Sequence, residues 1–491
     1  QVCDIVIPRL FLPEWTMTFI IVLTIIGFPI IAILSWIYDI TPTEDEKTPT
    51  AEVSQPLGVY ALTGLVLTVI GVAFWVAVGM FGVTFGGNDE VPSIGILMME
   101  NLGDEDEEFW SSGMTADLIT KVKGAGLIRV APLDDILNLD KELSLNEKAE
   151  KLRVQYILTH SFKIKDDGFE LWSTLENIEN GVALFSKKIS EPMAMTTQMV
   201  GKLANDIITS LKVKTTQNLM KTPTTDAEAY EFYLRAKYIY NTRKNPEDTK
   251  IAQSLLKKAI ELDDQLLLAK HFQGWIAYFG HEFEKSKQIY EIVLNQGEKN
   301  QDDFIIATTL NSMGLIEYWK GNHNQAILHF NKSITLAKGI GNLEIENSAI
   351  HNLGLVYAML GEDKKALKYY KKALKISEKI GNLYKKAVAL KNIGDLIDEN
   401  NLALHYYFQS QELFYDINDN YRIAEINSKI GDVYYVKIDF EKSLEYYLKS
   451  LDEFEKLGEN TKLIVDILFN IGIIHHKKGE YAIAIEFGEK A

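Results

Sequence analysis

The sequence predicts a multidomain protein in which transmembrane α-helices come first, a small α/β domain with a mixed sheet follows, and an all-α superhelical solenoid ends the chain. Three different residue patterns along the 491 residues predict this order. Two long uncharged apolar runs fall at 17–38 and 57–83, short apolar runs alternate with turn residues over 90–214, and a glycine recurs at near-constant steps within 226–491.

The recurring glycine is the strongest signal in the chain. The steps between successive glycines are 40, 40, 40, 37 and 41 residues. The glycines are Gly274, Gly314, Gly354, Gly394, Gly431 and Gly472. A period of this length is typical of stacked helical repeats. A small side chain follows most of these glycines by twelve residues, as Ala326 and Ala366 do, which predicts that two helices cross closely there. The shorter step after Gly394 predicts the least regular repeat.

Each repeat reads as a pair of amphipathic helices. Around Gly354, apolar residues recur at three- and four-residue spacing over 349–360 and 365–374. This pattern resembles the tetratricopeptide repeat, whose Leu-Gly, aromatic, turn-glycine and small positions are met by Leu353-Gly354, Tyr357, Gly361 and Ala366. The six glycines then predict six repeats, of which the last is truncated. A seventh repeat precedes them from about Asp226.

A candidate binding site lies two residues before the repeat glycines. The residues in this slot are Asn352, Asn392, Lys429 and Asn470, with Phe272 and Ser312 in the earlier repeats. The resemblance implies that the slot faces a concave groove, where an amide offers both a donor and an acceptor to an extended peptide. A solvated polar position is the alternative. We favour the groove because the residue type recurs with the repeat period.

Two apolar runs predict membrane helices. Residues 17–38 and 57–83 contain no charged side chain, and each is long enough to cross a bilayer about 30 Å thick. Residues 1–16 are interpreted as the end of a truncated earlier span and a short turn, and 39–56 as a polar loop. Lys47 is the only basic residue of that loop, so charge alone leaves the orientation open.

The region 90–214 predicts a small α/β domain in the order β-α-β-α-β-β-β-α. The predicted elements are strands at 93–98, 127–130, 156–165, 169–177 and 182–189, and helices at 115–122, 146–152 and about 196–211. Asn180-Gly181 is a strong hairpin signal because both turn positions favour positive φ. Thr115 is the expected N-cap of the first helix.

This region resembles the TolB amino-terminal-like domain. The resemblance rests on Ser93 to Met98, Glu100-Asn101-Leu102, Phe109-Trp110 and Gly113 to Ile119, and on the preceding span that ends Ser35 to Pro42. It implies a bacterial cytoplasmic-membrane protein with three spans, a cytoplasmic loop at 39–56, and periplasmic α/β and repeat domains. It also implies that some relatives carry a nucleotide-cyclase or DNA-binding domain upstream.

No catalytic motif is present in the sequence. The acidic run from Asp104 to Glu108 is contiguous, whereas a cation site needs carboxylates that converge, so we interpret it as a solvated loop. We therefore expect no catalytic residue, no metal and no cofactor, and we identify no small-molecule ligand. The net charge of −17 argues against nucleic acid as a partner.

The predicted function is a non-enzymatic scaffold anchored in a lipid bilayer that binds an unknown protein or peptide through the repeat groove. The alternative belongs to a different class: the chain is the sensory or regulatory half of a signalling protein, with a cyclase or transcriptional regulator domain upstream of residue 1. An upstream domain of about 100 residues or more would favour the second hypothesis.

Overall fold

The computed structural model describes residues 91–125, 128–137, 139–166, 168–215, 218–458 and 462–491. The predicted membrane helices at 17–38 and 57–83, and the segments 1–16 and 39–56, lie outside these described residues. Among the helices that are described, none combines the length and the apolar character that crossing a membrane requires.

The first part of the described chain is a mixed sheet with helices. Its strands are β1 (Ser93–Ile96), β2 (Glu100–Asn101), β3 (Arg129–Val130), β4 (Tyr156–Lys165), β5 (Gly168–Asn177) and β6 (Val182–Pro192). Its helices are α1 (Glu108–Gly124), α2 (Leu133–Leu137), α3 (Leu145–Leu152) and α4 (Thr196–Ser210). The strand order is β3-β1-β4-β5-β6, with the short β2 beside β4. β1 runs parallel to β3 and β4, while β4, β5 and β6 are antiparallel, which confirms the predicted mixed sheet.

Alternation along β5 sets the sheet against its helices. Phe169, Leu171 and Leu175 are fully buried and belong to the same core as residues of α1 and α4. The hairpin between β5 and β6 is confirmed, and Gly181 has the predicted left-handed φ of +66°. Asn180 does not have the positive φ that was predicted for it, because the turn spans residues 178–181 and not the Asn-Gly pair alone.

The start of the first helix differs from the prediction. Thr115 is not an N-cap, because α1 begins at Glu108 and Thr115 lies buried inside it. The acidic run forms a 3-10 turn that leads into the helix, and negative charge stabilises a helix N-terminus. Thr115 instead accepts the backbone N–H of Met99 at 3.1 Å, and the hydroxyl of Ser111 donates to the Met99 carbonyl. Both hydroxyls therefore join α1 to the chain between β1 and β2.

Seven antiparallel helix pairs follow within the described residues, and we number them as repeats one to seven. The pairs are α5 (Ala227–Asn241) and α6 (Pro246–Leu262), α7 (Leu267–Phe279) and α8 (Phe283–Lys299), α9 (Asp303–Trp319) and α10 (His323–Gly339), α11 (Leu343–Met359) and α12 (Asp363–Ile380), α13 (Leu383–Asp395) and α14 (Asn400–Asp416), α15 (Asn420–Val436) and α16 (Phe440–Leu457), and α17 (Lys462–Lys477) and α18 (Tyr481–Lys490). The predicted all-α array is confirmed.

Five of the six repeat glycines make room for an aromatic ring of the second helix; Gly472, which faces the backbone at Ala484, is the exception. A Cβ atom on Gly354 would lie 2.5 Å from Tyr370, and one on Gly314 would lie 2.5 Å from Phe330. Gly274, Gly394 and Gly431 meet a tyrosine ring in the same way. The small residue of the second helix packs at the same crossing, as the sequence predicts: the Ser286 hydroxyl donates to the carbonyl of Gly274 at 2.8 Å. Any larger side chain in the glycine slot would push the pair apart.

The fifth repeat is irregular, as its shorter step predicts. Its first helix α13 ends at Asp395, directly after Gly394. The first helix of the fourth repeat instead continues to Met359, five residues beyond Gly354.

Candidate functional site

Two of the three predicted asparagines, Asn352 and Asn392, lie at the contacts between successive first helices. The Asn352 side chain donates to the side-chain oxygen Oδ1 of Asn311 at 3.0 Å. The Asn392 side chain donates to Nε2 of His351 at 3.4 Å. Ser312 makes the equivalent contact with His271 at 3.3 Å. In each case, a residue two before one glycine bonds a residue three before the previous glycine. We call these three bonds the inter-repeat ladder.

The ladder consists of neutral groups. Burial lowers the pKa of His271 and of His351 to about 4, so both imidazoles are uncharged near neutral pH. A neutral imidazole keeps one acceptor nitrogen, which is the atom that the Asn392 amide requires. These bonds therefore set the register between neighbouring repeats without burying a charge.

The other two predicted residues belong to a separate cluster. The Asn470 side chain donates to the Tyr447 hydroxyl at 3.3 Å, and that hydroxyl donates to Asp432 at 2.6 Å. Burial raises the pKa of Asp432, and the Tyr447 hydrogen bond and the positive charge of Lys429 partly offset this rise. Lys429 is half-buried on α15. Asn352 and Asn392 thus bond to the first helix of the preceding repeat, whereas Asn470 bonds to a second helix.

The predicted residues differ in how much of their side chain remains exposed for contact with a partner. Asn392 is only 7% exposed, so most of its surface is used inside the array. Asn352 and Asn470 are partly exposed, and an amide that donates one bond retains a second N–H and a carbonyl oxygen. Their role in a groove stays a prediction.

A second periodic feature, which the sequence analysis missed, lies five residues after the repeat glycines. Here the first helices end in large apolar side chains: Phe279 is 53% exposed, Trp319 64%, Met359 61% and Val436 64%. We call these four residues the apolar stripe. Their spacing follows the glycine steps, and this period was the available signal. The fifth repeat contributes none because α13 ends before this position, and the seventh repeat has Lys477 there.

The exposed rings of the stripe are held in place. The indole N–H of Trp319 donates to the hydroxyl of Tyr278 in the preceding repeat at 2.7 Å. The Phe279 ring packs edge-on against Trp275, with 4.6 Å between the centroids. A fixed aromatic side chain loses little conformational entropy on binding, because its rotamer is already selected.

The charges beside Trp319 are paired. Lys287 bridges to the buried carboxylate of Glu317 at 2.7 Å, and Lys320 pairs with Glu284. Burial alone would raise the pKa of Glu317, but the hydrogen bonds from Lys287 and Asn322 outweigh it, so the pKa of this carboxyl falls. The stripe is therefore an apolar surface beside compensated charge.

The described part of the chain holds no cluster of three or more His, Cys, Asp or Glu side chains positioned to bind a metal ion. Asp104 and Glu105 of the acidic run are exposed at the turn before α1.

The geometry defines an all-α helical repeat array with a small α/β region at its N-terminal side. Comparison of the sequence with known families identifies the repeats: the tetratricopeptide repeat family matches residues 305–379 and 422–491. The chain is thus a tetratricopeptide repeat protein with an N-terminal small α/β region. No curated protein matches it by sequence.

Several solved structures are similar to parts of this chain at low sequence identity. BtubC from P. vanneervenii is 17% identical over 42% of this chain and 89% of its own, with a TM-score of 0.39. A signal transduction ATPase with a tetratricopeptide repeat sensor from Pyrococcus horikoshii is 17% identical over 60% of this chain and 47% of its own, with a TM-score of 0.48. A Rap protein complexed with Competence and Sporulation Factor is 14% identical over 60% and 91%, with a TM-score of 0.40. These likenesses concern the fold alone.

Proposed function

We propose that the helical array binds a protein or peptide partner through its first helices, with Trp319 of the apolar stripe at the centre of the contact. Tetratricopeptide repeats as a class suggest protein–protein interaction, and the carrying observation here is an indole ring that is 64% exposed yet fixed by Tyr278. Buried tryptophans dominate the energetics of many interfaces because they remove a large apolar area from water.

The predicted asparagines have a supporting part in this proposal. The free N–H and carbonyl groups of Asn352 and Asn470 would bond the backbone of the partner, and Lys429 would add a cation beside them. Asn392 serves the inter-repeat ladder first, since it is nearly buried. The apolar stripe then supplies affinity, and the amides supply orientation.

The test starts from a displayed library of random peptides selected on the full chain. Fluorescence polarisation then measures the selected peptides against the Trp319→Ala variant. We expect affinity to fall about tenfold or more, which corresponds to roughly 1.4 kcal/mol. Leu328→Ala is the matched control, because Leu328 is an exposed apolar residue on the second helix of the same repeat. Equal binding to wild type and Trp319→Ala would reject the stripe as the site.

We also propose that residues 17–38 and 57–83 anchor this non-catalytic scaffold in the bacterial cytoplasmic membrane, with the α/β region and the array on the periplasmic side. The support is the uncharged length of both runs and the resemblance of 90–214 to TolB amino-terminal-like domains. Alkaline carbonate should leave the protein in the membrane pellet, and detergent should release it. Recovery in the carbonate supernatant would contradict the anchor.

A second experiment tests the side of the membrane. Cys3→Ser leaves a chain without cysteine, and a cysteine introduced at Asn88 should then react with an impermeant thiol reagent in intact spheroplasts.

A further inference from the structure

The α/β region contacts the array at two places far apart along the repeats. The first place is the first repeat, where α5 packs on α1: Leu234 lies against Gly113, and the Tyr230 hydroxyl donates to Asp117 at 2.6 Å. The residues of α5 and α6 belong to the same hydrophobic core as the sheet. This contact is continuous with the interior of the α/β region.

The second place is the loop edge of the fourth and fifth repeats. Arg153, at the end of α3, pairs with Asp416 at the end of α14, with 2.5 Å between Nη2 and Oδ2. Lys123 of α1 lies 3.4 Å from the carboxylate of Glu344 at the start of α11. The side chain of Arg129 covers Gly381, at the end of α12, so closely that a Cβ atom there would lie 1.8 Å from Arg129 Cδ. We call these three contacts the latch.

Glu344 takes part in the latch and in the packing of two repeats at once. Its carboxylate also pairs with Lys385 of α13, which belongs to the fifth repeat. The same ammonium group donates to the backbone carbonyl of Glu344 at 3.2 Å and to the Ser348 hydroxyl at 3.0 Å. One carboxylate therefore holds a cation from the α/β region and a cation from the neighbouring repeat.

The composition of the latch suits a contact that opens. The Arg153 side chain is 52% exposed, and exposed ion pairs are weak because water screens them. A void of about 10 Å³, the size of one water molecule, remains among Lys123, Val130, Glu344 and Ile380. Contacts of this kind between parts of one chain resemble transient interfaces, for which relative motion is the default.

The repeats join the two contacts along the chain. The shared core reaches into the first helix of repeat two through Ala269 and Ile276, and repeat three lies between that helix pair and the latch. A small change of angle at each inter-repeat junction adds up along a repeat array. A rearrangement of the first helices therefore moves the fourth repeat relative to the α/β region.

We propose that the latch is a reversible contact whose closure fixes the packing of the fourth repeat on the fifth through Glu344. Closed, Lys123 and Lys385 share one carboxylate. Open, the α/β region stays on the first repeat while the loop edge at Glu344, Gly381 and Asp416 is released. The proposal does not depend on the peptide-binding function, since it concerns contacts within one chain.

Two glycines offer a matched test. Gly381 and Gly458 both end a second helix, and both have φ of +66°, so alanine strains the backbone equally at either position. A Cβ atom at Gly458 meets nothing within 4 Å, whereas one at Gly381 displaces Arg129. Hydrogen exchange on the full chain should become roughly tenfold faster at residues 340–345 and 128–131 in Gly381→Ala, and remain unchanged there in Gly458→Ala. The same response in both variants, or in neither, would overturn the latch.

The role of Glu344 is tested with Lys123→Gln, Lys385→Gln and the double variant. If one carboxylate couples the two contacts, each single change accelerates exchange on both sides, at 128–131 and at the start of α13, and the two changes are non-additive. Effects confined to the mutated side, and additive in the double variant, would overturn the coupling. Should Gly381→Ala fail to fold, Arg153→Glu opens the same contact from an exposed position, and unchanged exchange at 412–418 in that variant would likewise count against the latch.

Discussion

The two contacts of the α/β region differ in how they are held. At the first repeat, Trp110, Tyr230 and Leu234 are buried and share one core with the sheet. At the fourth and fifth repeats, charged side chains meet: Arg153 and Asp416 are partly exposed, whereas Lys123 and Glu344 are mostly buried. Apolar burial removes area from water at every temperature and salt concentration relevant here, whereas an exposed ion pair is weak and is screened by salt. The contact at the first repeat is thus part of the core of the fold, whereas the latch can open while the fold persists.

Trp110→Ala should break the first contact. Trp110 is 2% exposed, and its ring lies 5.5 Å from Phe169 and 6.2 Å from Tyr230. We expect the free energy of unfolding to fall by about 3–5 kcal/mol, because the substitution removes a large buried ring and leaves a cavity. Urea unfolding followed by circular dichroism measures it. Trp319→Ala is the same substitution at an exposed site and should change the stability by about 0.5 kcal/mol or less. Similar losses in both variants would refute the contrast.

Glu344 should give the second contact a pH dependence. Burial alone would raise its pKa, but Lys385 and Lys123 outweigh burial and lower the pKa from 4.5 to about 2. Because the folded pKa is the lower one, the stabilisation is complete above pH 4.5 and is lost as the pH falls towards 2. The shift corresponds to a stabilisation on the order of 3 kcal/mol. In Glu344→Gln, the difference in unfolding free energy between pH 5 and pH 3 should shrink; an unchanged difference would show that other carboxyls cause it.

Much of the fold could be predicted because the patterns that encode it are local. The recurring glycines predict the helix pairs, since five of the six lie under a ring of their own repeat, as Gly354 does under Tyr370. Asn180-Gly181 predicts the hairpin, because a turn depends on a few adjacent residues. The predicted start of α1, at Thr115, was wrong by several residues, because the helix begins at Glu108. A hydroxyl such as Thr115 serves equally as a cap and as a buried partner, and only the tertiary structure decides between these roles.

The candidate site was less predictable. The asparagine period is visible in the sequence, but the bond from Asn352 to Asn311 depends on how neighbouring repeats stack. The sequence did not indicate the role of Trp319, because an apolar residue near a helix end is normally assigned to the core and only the structure shows its exposure. The latch has no local pattern at all: Arg153 and Asp416 are 263 residues apart in the chain.

Of the changes made within the two contacts, the ion pair of the latch is expected to have the smallest effect on stability, and this variant sharpens the comparison most. Arg153→Glu places a carboxylate beside Asp416 and should lower the unfolding free energy by about 1 kcal/mol or less, because both side chains are partly exposed. Exchange at 412–418 should nevertheless accelerate, since local opening needs far less free energy than global unfolding. The double variant Arg153→Glu with Asp416→Arg restores opposite charges and should restore protection. Lys250→Glu changes the charge equally at an exposed site on α6 and should leave 412–418 unaffected. Failure of the reversed pair to recover protection would show that the segment is held by packing and not by charge.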